Sequence, residues 1–86
     1  MKSIIIDDEE MARAILEQLI SRTKELSLIE SFSNAIEAIK FLNQNSVDLI
    51  FLDIHMPNFS GFDFVQTIKN PPKIILVTVD KNFALD

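Results

Sequence analysis

Apolar positions fall into two alternating kinds of run along the chain. Short blocks rich in Ile, Val, Leu and Phe occupy Lys2 to Ile6, Leu28 to Phe32, Val47 to Leu52 and Lys73 to Val79. Each predicts a strand, and the continuous apolar character of the first suits one covered on both faces; Glu30 and Ser31 interrupt the second run and Asp48 the third, which reads as a central strand. Between them the period lengthens to that of a helix. From Asp8 to about Arg22, Ala12, Ile15, Leu16, Leu19 and Ile20 share one side, and Glu9 and Glu10 oppose the positive end of the helix dipole. Ser33 or Asn34 can cap a second helix, whose stripe is Ala35, Ala38, Ile39 and Leu42. Asn43 to Ser46 breaks it. After the third strand, which ends at Asp53, a loop runs from Ile54 to Ser60, and Gly61 precedes a third helical stretch with Phe64, Val65 and Ile68. Asn70-Pro71-Pro72 stops that stretch, because proline cannot continue the hydrogen-bond ladder. Residues 80–86 are long enough only for the first turns of another helix.

The predicted order is therefore β-α-β-α-β-α-β. Strand-to-strand spacings of this length match right-handed crossovers, which build an α/β fold around a doubly wound parallel sheet. Ligands of such sheets sit beyond the carboxyl ends of the strands. Asp7 and Asp8 after the first strand, Asp53 after the third and Thr78 after the fourth are all expected on that rim.

Composition removes other options. At 48% hydrophobic and 24% charged residues the chain is not intrinsically disordered. No cysteine is present, which excludes a disulfide scaffold, a thiolate metal site and a cysteine nucleophile. The single glycine argues against a glycine-rich nucleotide loop. A net charge of -5 disfavours direct contact with nucleic acid or an anionic membrane through this segment. Neither a signal peptide nor a membrane span is visible, so a cytoplasmic location is the expectation.

Asp7 and Asp8 alone can also be read as helix caps, and Thr78 as an ordinary strand-end residue. Asp53 on the same rim changes the balance. Carboxylates brought that close repel one another, and a hard divalent cation such as Mg²⁺ relieves the conflict. A carboxylate beside such an ion can attack phosphorus and form an acyl phosphate, with the Thr78 hydroxyl donating to a phosphoryl oxygen.

Four segments carry a resemblance. They are Ile4-Ile5-Ile6-Asp7-Asp8-Glu9, the run from Asp48 through Leu52-Asp53-Ile54-His55-Met56-Pro57, Ser60-Gly61, and Pro72-Lys73-Ile74-Ile75-Leu76-Val77-Thr78. Jointly and in this order, the chain resembles the receiver domain of a bacterial two-component response regulator, in the branch attached to LytTR-type DNA-binding output domains. The resemblance implies a flavodoxin-like fold and Asp53 as phosphoacceptor for a histidine kinase. It further implies Mg²⁺ held by Asp7, Asp8, Asp53 and the backbone carbonyl of His55, with Thr78 as the switch hydroxyl. Pro57 and Gly61 would shape the loop and open the third helix. The His55 side chain is expected on the solvent-facing rim rather than on the metal. By the same resemblance the domain is no dedicated enzyme, though it catalyses its own phosphorylation and dephosphorylation.

The chain departs from the family pattern at its end. A fourth helix, a fifth strand ending in a lysine and a fifth helix would normally follow, and neither Lys73 nor Lys81 sits where that lysine belongs. Val79 stands where the family usually keeps a small residue. The expectation is a partial receiver domain over residues 1–86, shortened by truncation or proteolysis or present as a fragment of a longer sequence, with strand four as an exposed edge. Such an edge or face favours a homodimer or other self-association. DNA contact would come only through an output domain not present here. Two alternative functions stand beside phosphoacceptor signalling: a phosphorylation-independent protein-interaction fragment, and a metal-dependent phosphatase-like hydrolase using His55.

Overall fold

The computed structural model describes residues 1–53 and 72–77. In chain order they form β1 (Lys2–Ile6), α1 (Glu10–Ser21), β2 (Ser27–Phe32), α2 (Ala35–Gln44), β3 (Leu49–Asp53) and β4 (Lys73–Val77). All strand pairs are parallel, and the sheet order is β2-β1-β3-β4. The parallel sheet is the one expected from the alternation of runs, and its strand order is the flavodoxin-like one that the resemblance implies. The loop and third helix expected between Ile54 and Pro71, together with residues 78–86, lie outside the described residues.

The topology explains why β1 and β3 carry apolar residues on both faces. The chain moves from β1 outward to β2, then back across β1 to β3, and right-handed crossovers place α1 and α2 on opposite faces. With β1 and β3 inside the sheet, alternate residues on both faces are covered. Ile4, Ile6, Ile50 and Leu52 form the core beneath Ala35 and Ala38 of α2, joined by Phe32, Ile39, Phe41, Leu42, Val47 and Ile74. Phe32 and Phe41 meet with ring centroids 5.3 Å apart. Ser3 and Ile5 point to the other face, where α1 lies against β1 and β2. Ser3 is fully buried and donates its hydroxyl to the Ser27 carbonyl at 3.0 Å, which satisfies it.

Three sequence expectations are corrected. α1 begins at Glu10, not Asp8, because the Asp7 carboxylate accepts from the Glu9 amide at 2.9 Å and holds residues 7–9 in a turn. Its five-residue stripe is not uniformly buried either. Ala12 and Ile20 are buried and Leu16 half-buried, whereas Ile15 and Leu19 remain 54% and 55% exposed. At about 100° per residue, Ala12, Leu16 and Ile20 lie along one edge of the stripe and Ile15 and Leu19 along the other. Only the first edge meets the sheet. The third run begins as a strand at Leu49, since Asp48 is occupied elsewhere. Its amide donates to the Lys2 carbonyl at 2.8 Å, its carboxylate accepts from the Lys2 amide at 2.8 Å, and its carbonyl accepts from the Lys73 amide at 3.2 Å. A polar residue in an apolar run thus ties together the starts of three strands.

The interruption in β2 also has a structural cause. Register shifts between Ser3 and Ile4, so that Ser3 opposes Leu28 while Ile4 opposes Glu30, and Ile29 is the extra residue. Leu28 and Phe32 would share a face in an unbroken strand. The shift sends Phe32 to the α2 side with Ile6, and Ser31 to the α1 side, where its hydroxyl donates to the Glu17 carboxylate at 3.1 Å.

Of the two candidate caps for α2, Asn34 is the one used: its side-chain oxygen accepts from the Glu37 amide at 2.9 Å. Asn34→Ala is expected to lose about 1 kcal/mol, read as a lower urea midpoint at unchanged slope. Ser33→Ala should leave the midpoint nearly in place.

Candidate functional site

Asp7 and Asp53 owe their proximity to strand pairing. In the β1–β3 ladder Ile6 opposes Leu52, so the next residue of each strand, Asp7 and Asp53, emerges at the same carboxyl-end rim. Asp53 is the last residue of β3, and Asp7 still donates its amide to the Phe32 carbonyl at 3.0 Å, one step beyond β1. Both are nearly inaccessible, at 2% exposure for Asp7 and 3% for Asp53. Asp8, one residue on, is exposed. One carboxylate oxygen from each of the three lies within 4.8 Å of the others.

The donor set suits a small hard cation. Oxygens sharing an octahedral Mg²⁺ at about 2.1 Å are about 3 Å apart in adjacent positions and about 4 Å apart across the ion. The 4.8 Å span of the group is close to the distance across such an ion. All three donors are carboxylates, the ligand type such ions select over imidazole or thiolate. One exposed carboxylate beside two buried ones leaves the group open to solvent on one side.

The connection carrying Asp7 and Asp8 is fixed at several points. Besides its amide and carboxylate contacts, Asp7 uses its carbonyl to accept from Arg13 Nη1 at 2.7 Å. Arg13 was not picked out by the sequence reading. A signal was nonetheless present: a basic residue near the start of a helix opposes the dipole preference, which suggests that another partner holds it there.

Of the expected site residues, the structure brings Asp7, Asp8 and Asp53 together. Thr78, His55, Pro57 and Gly61 lie outside the described residues, as does Val79. No helix among the described residues is long and apolar enough to cross a membrane.

Comparison with known proteins agrees with this architecture. The response regulator receiver domain pattern matches residues 4–85. A Vibrio cholerae protein described as an uncharacterized response regulatory protein is 36% identical over 87 aligned positions, which cover 99% of this chain and 37% of that protein. The sensory transduction protein LytT of Bacillus anthracis is 35% identical over 88 positions, covering 99% of this chain and 36% of LytT. The chain therefore spans little more than a third of the length of these curated relatives. Among solved structures, the response regulatory domain of MrkE from Klebsiella pneumoniae is similar with a TM-score of 0.80 at 35% identity, over 99% of this chain and 72% of that one. A parallel sheet in the order β2-β1-β3-β4, an acidic rim and a pattern match over nearly its full length lead to one conclusion: this chain belongs to the response regulator receiver domain family.

Proposed function

We propose that this chain is a phosphoacceptor signalling module in which Asp53 takes a phosphoryl group from a histidine kinase. The observation that carries this reading is the buried Asp53 carboxylate at the end of β3, grouped with Asp7 and Asp8 within 4.8 Å. An Asp53 carboxylate oxygen attacks phosphorus, the bond from phosphorus to the donor's leaving nitrogen or oxygen breaks, and an acyl phosphate remains. Asp7, Asp8, Asp53 and the His55 backbone carbonyl would hold Mg²⁺. When bound, the ion supplies charge neutralisation for the phosphoryl oxygens. Burial of Asp53 keeps competing water low around the nucleophile, while the exposed Asp8 side admits the donor. Thr78 is assigned the switch hydroxyl, and Pro57 and Gly61 the loop-shaping roles that the resemblance implies. In the longer protein the modified domain would regulate a DNA-binding output domain of LytTR type in the cytoplasm.

The test is intact mass after incubation with Mg²⁺ and a small acyl phosphate or phosphoramidate donor. A gain of one phosphoryl unit that vanishes when the cation is chelated is the expected result. No gain under conditions that fully label a complete receiver domain would defeat the reading for this chain.

A second reading rests on a different observation. Met11, Ile15 and Leu19 along α1 are substantially exposed, as are Ile75 and Leu76 on opposite faces of β4, which is apolar area suited to self-association or to another protein. Sedimentation with and without Mg²⁺ and phosphodonor separates the readings: an association indifferent to both favours a phosphorylation-independent role.

A further inference from the structure

We infer that Arg13 is a positioning residue for the cation site, reaching from α1 to fix the peptide that presents Asp8. This rests on the reading of Asp7, Asp8 and Asp53 as cation ligands. Arg13 is half-buried, and its Nη1 donates to the Asp7 carbonyl at 2.7 Å, six residues back along the chain. That carbonyl belongs to the same planar unit as the Asp8 amide and Asp8 Cα. Holding the oxygen therefore sets the plane from which the Asp8 side chain departs.

The other end of the turn is also fastened to Asp7. Its carboxylate accepts from the Glu9 amide at 2.9 Å, and the Arg13 amide donates to the Glu9 carbonyl at 3.1 Å. Side chain and backbone of Arg13 thus bracket residues 7–9 from the same helical turn. Asp7 and Asp53 are buried at strand ends and fixed by the sheet, whereas Asp8 is exposed and lies outside any strand or helix. Of the three carboxylates, Asp8 is the one whose placement depends most on this bracket.

Charge and position make opposite predictions, which gives the inference its test. Arg13 is a cation near a cation site, so electrostatics alone says that removing it tightens Mg²⁺ binding. Loss of positioning says that removal weakens it. Groups that orient metal ligands commonly contribute 10- to 100-fold in affinity.

Mg²⁺ affinity of the chain should be measured by titration calorimetry for the parent, Arg13→Met, Arg13→Lys and the control Arg22→Met, with thermal unfolding alongside. Arg13→Met is expected to bind Mg²⁺ about tenfold more weakly despite its extra net negative charge. Arg13→Lys should recover part of the loss, and Arg22→Met should bind as tightly as the parent or slightly more so. Phosphoryl uptake by Arg13→Met should return toward the parent rate as Mg²⁺ is raised. Binding by a folded Arg13→Met that equals or exceeds the parent overturns the inference. If Arg13→Met does not fold, Arg13→Lys decides, since unchanged affinity there shows that the guanidinium geometry is not needed. Absence of Mg²⁺ binding by the parent is a separate outcome: it removes the metal-site reading, and the inference falls with it.

Discussion

Asp53→Asn is expected to abolish phosphoryl uptake while making the cation-free chain more stable. The substitution keeps shape and volume almost unchanged, but an amide oxygen does not attack phosphorus as a carboxylate oxygen does. With Mg²⁺ and a small acyl phosphate donor, the mass of this variant should not change. The stability effect follows from the same geometry. Three carboxylates within 4.8 Å repel one another, two of them almost wholly buried, and Asn removes one charge. In urea without divalent cations the variant should therefore unfold at a higher midpoint than the parent. Adding Mg²⁺ should reverse the order. A ligand at 100 times its dissociation constant contributes about 2.7 kcal/mol to the state that binds it, and Asp53→Asn should gain much less than the parent. Labelling of the variant to the parent's extent would place the phosphoacceptor elsewhere. A lower cation-free midpoint would mean that the three charges do not oppose folding.

Ile50→Ala is expected to have the largest effect on stability. Ile50 is wholly buried in β3, which pairs with both β1 and β4, and it belongs to the cluster with Ile4, Ile6 and Leu52 under α2. Truncating a buried isoleucine to alanine costs about 2–5 kcal/mol, because the removed carbons leave a cavity that the neighbours only partly fill. Small domains have about 5–15 kcal/mol in total, so much of the population would be unfolded near physiological temperature. Ile75→Ala on β4 is the matched comparison. Its side chain is 46% exposed, and the loss there should be well below that at Ile50. Equal losses at the two positions would contradict the assignment of the core to the α2 face. Denaturant midpoints of the three chains, at similar slopes, decide the matter.

Much of this architecture was legible beforehand, and the reasons differ by element. Ile4-Ile5-Ile6 reads as a strand covered on both faces because its β-branched apolar character is continuous rather than alternating. Ala35, Ala38, Ile39 and Leu42 read as the inward side of α2 because small residues at helical spacing let a helix approach a sheet closely, and all four are buried or half-buried. The acidic rim was readable in a weaker sense. Asp7-Asp8 and Asp53 each end an apolar run, and a parallel sheet delivers all such endings to one side. Their actual proximity depended on the β1–β3 register, in which Ile6 opposes Leu52. The shared end of the sheet followed from strand direction alone, but the pairing of neighbours did not.

Where the sequence falls short, the deciding contact lies between elements rather than within one. Ile15 and Leu19 have the same helical spacing as Leu16 and Ile20, yet α1 rests on the sheet along one edge only. Arg13 shows no chemistry of its own until the Asp7 carbonyl is found within hydrogen-bond reach. Asp48 looked like an exception within an apolar run, and its use became visible only once Lys2 and Lys73 were beside it.

By itself, the chain's order of residues determined the alternation of strands and helices, the parallel sense of the sheet, the cap of α2 to within one residue, and the gathering of carboxylates at one end. These follow from local periodicity and from the handedness of crossovers, both of which act over short stretches. Tertiary structure alone decided the bulge at Ile29, the half-used stripe of α1, the three-strand tie at Asp48 and the hold of Arg13 on the Asp7–Asp8 peptide. Each depends on how one element's surface meets another's across more than a single turn or strand. Periodicity names the apolar side of an element, but only the packed partner determines how much of that side is covered and which polar groups come within reach.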